Sequence, residues 1–364
     1  MKTTIKTAID PICNMVVETE NSLTVKFKDT EYYFCSEGCK QKFEKRRANA
    51  IDDNKEQFDL IIVGGGPAGL TAGVYASILK LKAFLITQDL GGQAIDSTKI
   101  ENYMGFDFIT GPELIQKFHY QLMNSHFIDH LISEVDLIEP DEKSGFIVTA
   151  SDGKKFNART VLVAPGMKRR KLNVPGELEF QRKGIFYGSI QDLSYLQNKN
   201  VAVVGGGNSA LQLVEDLQAI SKNIFMVSDT ILTGDEVIIE RVRKLKNVEI
   251  FEEYKINEFY GEQSLSGFQI RKLGTGETKT LSISGVQVAI GLRPNTSLVS
   301  RLTDLNKKGE IIINPNCSTS CHGLFAAGDA TSVYGKRIVI ASGEGAKAAL
   351  AIKRFIIDSN KLKK

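Results

Sequence analysis

One local pattern, an apolar strand followed by a glycine-rich turn and a helix, occurs twice in this chain of 364 residues. The first copy spans residues 58–80, with the turn at 64–69, and the second spans residues 199–220, with the turn at 205–210. In a G-x-G-x-x-G or G-x-G-x-x-A turn, the first glycine permits a sharp bend and the second lets a pyrophosphate approach the backbone, while the last small residue lets the helix pack on the strand. Two copies predict an α/β chain with two Rossmann-like dinucleotide-binding units on parallel sheets.

Length and composition add weaker constraints. At roughly 150 residues per domain, 364 residues predict two to three domains. The 46 Lys and Arg residues nearly balance the 43 Asp and Glu residues, which gives no support for a nucleic-acid partner. No apolar run reaches the roughly 18 residues of a membrane span, and the first residues lack a secretory signal. We therefore expect no membrane contact and a cytoplasmic protein.

Two dinucleotide-binding units in one chain predict one bound cofactor and one exchangeable dinucleotide, the arrangement of a flavin enzyme that a nicotinamide reduces. Further short motifs follow in a fixed order: Gly91-Gly92-Gln93, Glu101-Asn102-Tyr103, Val174-Pro175-Gly176-Glu177, Gly291 with Asn295-Thr296, and residues 323–329. With these motifs, residues 58–357 resemble the thioredoxin reductase-like flavoproteins. The resemblance implies a discontinuous FAD-binding domain of three-layer ββα type at residues 58–166 and 289–364, interrupted by an NAD(P)-binding domain at residues 167–288.

The same resemblance implies which residues hold the two dinucleotides. Asp329 would bind the ribityl chain of FAD, and residues 336–338 would pass beside the flavin ring, although two of them depart from the reductase pattern. The implied FAD residues are Gly64, Gly66, Pro67, Ala68, Gly69, Gln88, Gly91, Gly92, Gln93, Asn102, Gly328, Asp329, Lys336, Arg337 and Ile338. The implied NAD residues are Gly205, Gly207, Asn208, Ser209, Ala210 and Asp229.

One departure from the resemblance concerns the electron acceptor. Thioredoxin reductases carry a C-x-x-C just before the second glycine turn, and here that window is Gly188-Ser189-Ile190-Gln191. Without the dithiol, the flavin cannot pass electrons through an internal disulfide. Residues 187–196 are more similar to the ferredoxin–NADP reductases of this superfamily, which also lack the pair. The expected partner is a small electron-transfer protein of ferredoxin or flavodoxin type, or a metal ion.

A second departure concerns the nicotinamide. Asp229 follows the predicted strand over residues 223–227 and lies 22 residues beyond Gly207. An acidic residue there hydrogen-bonds a ribose 2′-OH and repels a 2′-phosphate, which NADPH-using members bind with Arg. The aligned positions Ser228, Asp229 and Thr233 carry no cation, so NADH is favoured over NADPH. A turn-capping aspartate in a domain that binds no nicotinamide is the alternative.

The first 45 residues hold three of the five cysteines, Cys13, Cys35 and Cys39. Residues 8–45 resemble the small α+β YHS/TRASH metal-binding modules. Such a core is too small to fold comfortably alone, and a metal held by thiolates would stabilise it. Zn(II) or Cu(I) is expected, with Met15 as a further soft ligand for Cu(I), and three buried structural thiols are the alternative. Residues 46–57 lack apolar periodicity and predict a linker.

The remaining cysteines and histidines are weaker candidates. Cys317 and Cys321 precede the Gly328-Asp329 turn, where a buried spectator at Cys317 is favoured over a redox pair that replaces the lost C-x-x-C. His322 is a weak candidate for a proton donor. His126 and His130 are four residues apart on a predicted helix over residues 111–130, where a solvated face explains them better than a metal does.

The sequence thus predicts a FAD-dependent oxidoreductase that takes hydride from NADH, carries a metal-binding module and, by resemblance, forms a homodimer. No side chain is required as a nucleophile, because the redox chemistry belongs to the cofactors. Two alternatives stay open. One is a thiol-disulfide reductase that uses Cys317 and Cys321, and the other is a metal-binding or sensor protein whose flavin domain is regulatory.

Overall fold

A computed structural model gives the fold of the chain and describes residues 7–13, 15–20, 22–27, 30–48, 57–97, 99–125, 128–187 and 196–361. The chain forms two compact units. The first unit is Met1–Met167 with Pro294–Lys364, and the second unit, inserted between these two segments of the sequence, is Lys168–Arg293. Within the described ranges, no helix is long and apolar enough to cross a membrane.

The first unit begins with a small α+β module. Its elements are the antiparallel pair β1 (Thr7–Ile9) and β2 (Val16–Glu18), the antiparallel pair β3 (Leu23–Phe27) and β4 (Thr30–Phe34), and helix α1 (Glu37–Ala48). The aromatic rings of Tyr32 and Phe34 lie 4.8 and 5.2 Å from the ring of Phe43 on α1, which closes the module around a small aromatic core. Helix α1 ends three residues inside the predicted linker.

A sheet flanked by helices follows. Its elements up to the second unit are β5 (Gln57–Val63), α2 (Pro67–Ile78), β6 (Ala83–Thr87), a short 3-10 helix (Gly92–Asp96), α3 (Gly111–Met123), β7 (Ile128–Ile132), β8 (Val135–Asp141), β9 (Gly145–Ala150) and β10 (Lys155–Val163). Strands β7, β6, β5 and β10 lie in that order and run parallel, and β9 and β8 extend the sheet antiparallel beyond β10. Strand β6 is buried along its whole length, as the central strands of a parallel sheet are.

The second unit repeats the parallel arrangement. Its elements are β11 (Met167–Arg169), β12 (Ile185–Tyr187), β13 (Asn200–Val204), α4 (Asn208–Gln218), β14 (Asn223–Ser228), α5 (Glu236–Arg243), β15 (Val248–Glu252), β16 (Tyr254–Gly261), β17 (Leu265–Lys272), β18 (Thr278–Ser282), β19 (Gly285–Val288) and β20 (Leu292–Pro294). Strands β12, β19, β13, β14 and β15 form a parallel sheet in that order, β16 to β18 form an antiparallel sheet, and β11 pairs with β20. The two parallel sheets confirm the predicted α/β fold class.

The last elements, β21 (Leu324–Ala326) and α6 (Ile338–Lys361), complete the first unit. Strand β21 pairs parallel with the last three residues of β10. Helix α6 packs closely on α2, since a Cβ at Gly345 would lie 2.0 Å from the carbonyl oxygen of Ala68. The carboxyl ends of β5, β6 and β21 therefore meet at one edge of the sheet, which is where parallel sheets bind their ligands.

The N-terminal module shares its core with the rest of the first unit. Ile12, Phe34 and Phe43 of the module belong to the same buried hydrophobic cluster as Leu85 of β6 and Ile128 of β7. The module therefore packs against the sheet of the first unit, and residues 49–56 of the predicted linker lie outside the described residues. This shared burial supplies apolar area that 45 residues do not supply alone.

Helix α3 is shorter than the sequence predicts. It begins at a capping box, in which Glu113 Oε2 accepts from the Thr110 amide at 2.9 Å, and it ends at Met123. The predicted helix over residues 111–130 is wrong beyond that point, because Ile128 and His130 alternate inward on β7 and the strand pairs with β6. His130 is only 1% exposed, so the predicted solvated face is also wrong there, and His126 lies outside the described residues.

Candidate functional site

The turn after β5 has the backbone geometry of a dinucleotide-binding glycine turn. Gly64 has a φ of +113°, and a Cβ there would lie 2.3 Å from the carbonyl oxygen of Ala164. A Cβ at Gly69 would lie 1.8 Å from the carbonyl oxygen of Gly64, so only glycine lets α2 pack this close to the turn. A Cβ at Gly66 would meet no atom within 4 Å, which leaves open space at the N-terminus of α2 for a pyrophosphate.

A second loop lies against this turn. The amide of Gly91 donates to the carbonyl oxygen of Gly65 at 2.7 Å, and the amide of Gly92 donates to Oδ1 of Asp89 at 2.7 Å. A Cβ at Gly92 would lie 3.2 Å from the Cα of Gly66. Asp89, which the sequence analysis missed, thus holds the loop in place. Its signal is an acidic residue soon after the second strand of the sheet.

Asp329 follows β21 at the same edge of the sheet. Its Oδ1 atom is buried and has no hydrogen-bond partner among the described residues. Burial raises the pKa of this carboxyl, an effect that the charges of Lys336 and Arg337 oppose. A buried acceptor without a donor costs about 1–3 kcal/mol, and a ribityl hydroxyl of FAD would supply that donor. The ammonium of Lys336 itself lies 3.1 Å from Oε1 of Glu310.

The residues at this edge fit FAD, and three chain segments supply them. The third segment, which carries Gly328 and Asp329, lies against the glycine turn, since a Cβ at Gly328 would lie 3.1 Å from the Cβ of Ala68. The predicted FAD residues that lie in the turn, the second loop and the last segment are Gly64, Gly66, Pro67, Ala68, Gly69, Gly91, Gly92, Gln93, Gly328 and Asp329. The other predicted FAD residues are the exposed Gln88, Asn102 and Arg337 and the half-buried Lys336 and Ile338, and their FAD contacts stay predictions.

The second unit repeats the glycine-turn geometry after β13. Gly205 has a φ of +135°, and a Cβ at Gly207 would meet no atom within 4 Å. The three predicted residues that begin α4 are Asn208, Ser209 and Ala210. A Cβ at Gly206 would lie 2.4 Å from Oγ of Ser228, so the end of β14 lies against the turn and the exposed Asp229 comes next.

Cys317 and Cys321 have different surroundings. Cys317 is fully buried with Sγ 3.4 Å from Oε2 of Glu344, and burial raises its pKa to about 12. Cys321 is half-buried against a different hydrophobic cluster, and burial raises its pKa as well. His322 is exposed, with its ring 4.8 Å from that of Phe355. Raised pKa values disfavour the thiolates that disulfide exchange requires, which supports the spectator interpretation of Cys317.

Three thiols and one imidazole converge between the N-terminal module and α3. Sγ of Cys35 lies 3.5 Å from Sγ of Cys13 and 3.6 Å from Sγ of Cys39. His119 on α3 adds a ring nitrogen, and the four ligand atoms all lie within 4.8 Å of one another. Cys13, Cys39 and His119 are buried, and Cys35 is half-buried. The sequence predicted the three thiols but missed the histidine.

The pKa values of the three thiols shift in different directions, and of the three only Cys35 favours its thiolate, since those of Cys13 and Cys39 are raised. Hydrogen bonding by Cys13, and then by Cys39, lowers the pKa of the central Cys35 to about 2 and favours its thiolate. The hydrogen bond to Cys35 raises the pKa of Cys13 correspondingly. Burial lowers the pKa of His119, which favours the neutral imidazole that ligates metals. Nε2 of His119 has no hydrogen-bond partner in the described part of the chain.

Asp10 positions two of the three thiols. It is fully buried, and its Oδ1 accepts from the amide of Ile12 at 2.8 Å while its Oδ2 accepts from the amide of Cys35 at 2.8 Å. One carboxylate thereby fixes the loop before Cys13 and the start of the segment that carries Cys35. Sequence analysis missed this role, although Asp10 belongs to the same short motif as Cys13.

The spacing of the donors fits a tetrahedral metal. A Zn–S bond of about 2.3 Å implies sulfur atoms roughly 3.8 Å apart in a tetrahedral site, and the neighbouring sulfur atoms here are 3.5 and 3.6 Å apart. Thiolates and imidazole are also the ligands that Zn(II) prefers, and thiolates suit Cu(I). Met15 is half-buried against the same hydrophobic cluster, and its role as a ligand stays a prediction.

The window that replaces the C-x-x-C, Gly188-Ser189-Ile190-Gln191, lies outside the described residues. Its lack of cysteine is a fact of the sequence alone. Outside it, the five thiols of the chain are all described, and each of them is free of a disulfide.

Comparison with known proteins gives two family matches. The family described as "Pyridine nucleotide-disulphide oxidoreductase" matches residues 58–345, and the family described as "YHS domain" matches residues 8–49. The first match covers most of the chain, and the second covers the module that holds Cys13, Cys35 and Cys39.

Curated relatives and solved structures agree with the first match. A subunit of the alkyl hydroperoxide reductase of Staphylococcus aureus is 37% identical over 308 residues, which are 84% of this chain and 60% of that protein. The Escherichia coli protein of the same name is 36% identical over 86% of this chain and 61% of its own length. The chain thus spans about 60% of the length of these relatives. The thioredoxin reductases of Lactococcus lactis and T. acidophilum are each 29% identical to this chain. The matches cover 83% of this chain and 99% and 100% of those chains, with TM-scores of 0.71 and 0.69.

Proposed function

The chain belongs to the pyridine nucleotide-disulphide oxidoreductase family, and from that premise we propose that NADH reduces it in preference to NADPH and that it passes electrons to an acceptor outside the chain. Family membership makes the chain a FAD-dependent NAD(P)H oxidoreductase, and an N-terminal YHS domain is attached to it. The choice of coenzyme, the route of the electrons and the metal of the module are the proposal.

The proposal that FAD binds is supported by the residues at the sheet edge of the first unit. When bound, FAD supplies a ring that accepts hydride at N5 and releases electrons to an acceptor. The open space at Gly66 would receive the pyrophosphate at the N-terminus of α2. The buried Oδ1 of Asp329, which has no partner among the described residues, would accept a hydrogen bond from a hydroxyl of the cofactor and orient it. Asp89 holds the facing loop through the amide of Gly92.

The preference for NADH rests on the segment after β14. Asp229 follows Ser228, whose Oγ lies against the glycine turn, and an acidic residue at this point of the fold is the type that binds the adenosine ribose of NADH. Residues 228–233 contain no Lys or Arg to hold a 2′-phosphate. Arg243, farther along the chain, donates to both carboxylate oxygens of Glu252 at 2.9 and 3.1 Å. A carboxylate at Asp229, with no cation in residues 228–233, favours the coenzyme without the phosphate.

The proposal of an electron acceptor outside the chain depends on the surroundings of the cysteines. The chain has five of them and no C-x-x-C. Cys317 and Cys321 pack in different hydrophobic clusters, and burial raises the pKa of both thiols. These observations favour a small electron-transfer protein or a metal ion as acceptor over a route through a disulfide of the chain. Assembly as a homodimer and residence in the cytoplasm stay predictions.

For the N-terminal module, we propose that Cys13, Cys35 and Cys39 hold Zn(II) or Cu(I). The observation that carries this part is the spacing of 3.5 and 3.6 Å between neighbouring sulfur atoms, which suits one metal bound by all three. Asp10 supports the site by fixing the backbone beside Cys13 and at Cys35.

Anaerobic stopped-flow reduction tests the enzyme proposal. The FAD-loaded protein is mixed with NADH or NADPH, and the reduced protein is then mixed with ferredoxin, flavodoxin, quinone, a disulfide protein, O₂ or Cu(II). We expect faster bleaching of the flavin by NADH, and reoxidation by an acceptor other than the disulfide protein. Bleaching by neither coenzyme would favour a sensor with a regulatory flavin domain. Rapid reoxidation by the disulfide protein would favour Cys317 and Cys321 as a redox pair.

A further inference from the structure

We propose that His119 of α3 is the fourth ligand of a Zn(II) ion bound by Cys13, Cys35 and Cys39, so that the metal fastens the N-terminal module to the FAD-binding part of the first unit. This inference rests on the proposed metal binding of the module. It adds a donor that comes from outside the matched module, which spans residues 8–49. It also favours Zn(II) over Cu(I), the other metal proposed for the three thiols.

The position and the surroundings of the His119 imidazole suit a metal ligand. Its donor atom lies within 4.8 Å of all three sulfur atoms, although 80 residues separate His119 from Cys39 in the sequence. The His119 ring is 5% exposed, and its Nε2 has no hydrogen-bond partner among the described residues. A buried nitrogen left in this state is costly, and a metal bound through Nε2 would satisfy it. Three thiolates with one imidazole form a closed donor set of structural Zn(II) sites.

The N-terminal module contacts α3 and β7 at two further points. These contacts position the cysteine ligands relative to His119. Helix α1 approaches the end of α3 so closely that a Cβ at Gly38, the neighbour of Cys39, would lie 2.9 Å from the carbonyl oxygen of Met123. Nε2 of His130 on β7 bonds to the carbonyl oxygen of Ile12, the neighbour of Cys13. The positions of the thiols relative to His119 are therefore fixed by packing on both sides of the cluster.

The helix that carries His119 also supports the FAD loop. Ile115, one turn before His119, packs on that loop, because a Cβ at Gly91 would lie 2.8 Å from Cγ2 of Ile115. At the start of α3, a Cβ at Gly111 would lie 2.1 Å from the carbonyl oxygen of Ala94 in the 3-10 helix. A metal bound by His119 therefore restrains the helix on which the loop of Gly91 and Gly92 rests.

Metal binding by the full-length FAD-loaded protein tests the inference. Zn(II) affinity is measured by competition with a chromophoric chelator, and Co(II) is used as a spectroscopic substitute. We expect His119→Ala to weaken Zn(II) binding by more than the roughly 10- to 100-fold that loss of an outer-shell partner costs. His119→Cys should restore tight binding and strengthen the sulfur-to-Co(II) charge-transfer band, since a fourth thiolate joins the site. His322→Ala, at an exposed histidine of the same unit, is the matched control for metal affinity.

The outcomes separate this inference from the proposal on which it rests. If the wild-type protein binds no metal, both fail. If it binds Zn(II) through the three cysteines but His119→Ala binds equally tightly with an unchanged Co(II) spectrum, the module proposal stands and the fourth ligand is refuted. Hydrogen exchange adds a readout that needs no activity. Zn(II) should protect the amides of the module and of α3 together in the wild type, and only those of the module in His119→Ala.

Discussion

The tight packing of the N-terminal module on α3 gives a graded prediction at Gly38. A Cβ there would lie 2.9 Å from the carbonyl oxygen of Met123, 3.2 Å from its carbonyl carbon and 3.3 Å from its Cβ. The first distance is about half an ångström short of ordinary non-bonded contact. Gly38→Ala thus forces a shift of a few tenths of an ångström, which the gain of about 0.5–1 kcal/mol in helix propensity partly offsets. Gly38→Val adds two methyl groups against the same backbone and has no comparable compensation.

Overpacking of this kind costs about 1–3 kcal/mol. Since metal–ligand distances tolerate deviations of only about 0.2 Å, α1 cannot move away from α3 without disturbing either Cys39 or His119. We therefore expect Gly38→Val to lower Zn(II) affinity about 5- to 150-fold, which is the same free energy expressed as a ratio. Gly38→Ala should lower it by a smaller factor, because a single Cβ requires a smaller shift than the branched side chain does.

The assay is the chelator competition on full-length protein, with FAD content as the check on folding. Gln41→Val is the matched control, because it places the same branched residue at an exposed position of the same helix. Wild-type Zn(II) affinity in Gly38→Val, with unchanged amide protection of the module, would refute the reasoning that close packing of α1 on α3 sets the site.

Four further predictions concern the cofactors and the electron route. Asp329→Ala should weaken FAD binding by about 1–3 kcal/mol, measured as flavin absorbance per protein after gel filtration, and full retention would contradict the assigned role. Asp229→Arg should shift the ratio of flavin reduction rates toward NADPH by about 1–3 kcal/mol, roughly 5- to 150-fold; an unchanged ratio would place the ribose elsewhere. The double variant Cys317→Ser and Cys321→Ser should leave NADH-driven reduction of an external acceptor unchanged, and a large loss would restore the redox pair. Removal of Zn(II) by a chelator should speed release of FAD, because α3 supports the loop of Gly91; release at equal rates with and without Zn(II) would show that the two sites are independent.

Local patterns in the sequence predicted the dinucleotide-binding parts of this fold. The turns at Gly64 and Gly205 each follow a buried strand and precede a helix, and this local order leaves a signal within about ten residues of sequence. The three thiols were likewise predictable, because Cys13, Cys35 and Cys39 lie in one short module. In each case the residues that form the feature are close together in the chain.

The parts that escaped prediction depend on distant contacts. His119 has no neighbour in the sequence that marks it as a ligand, and only the packing of the module on α3 brings it to the thiols. The start of β7 was missed because the apolar residues after Met123 also suit a helix, and pairing with β6 decides the outcome. Asp10 was missed for a different reason. Its role depends on hydrogen bonds that it accepts from the backbone amides of Ile12 and Cys35, and a sequence does not show such bonds.

The discontinuity of the first unit has a consequence for synthesis of the chain. Strand β10 ends at Val163, whereas β21, which pairs with its last three residues, begins at Leu324. At roughly 5–20 residues per second, a ribosome needs on the order of 10–30 s to make the intervening chain. During that interval the edge of β10 has unpaired amide and carbonyl groups, and the segment that carries Gly328 and Asp329 is not yet beside the glycine turn. The second unit, Lys168–Arg293, is contiguous and has its whole sheet available before the first unit does. The nascent chain therefore carries a complete second unit while the first unit still has an open sheet edge, which exposes it to wrong strand pairing.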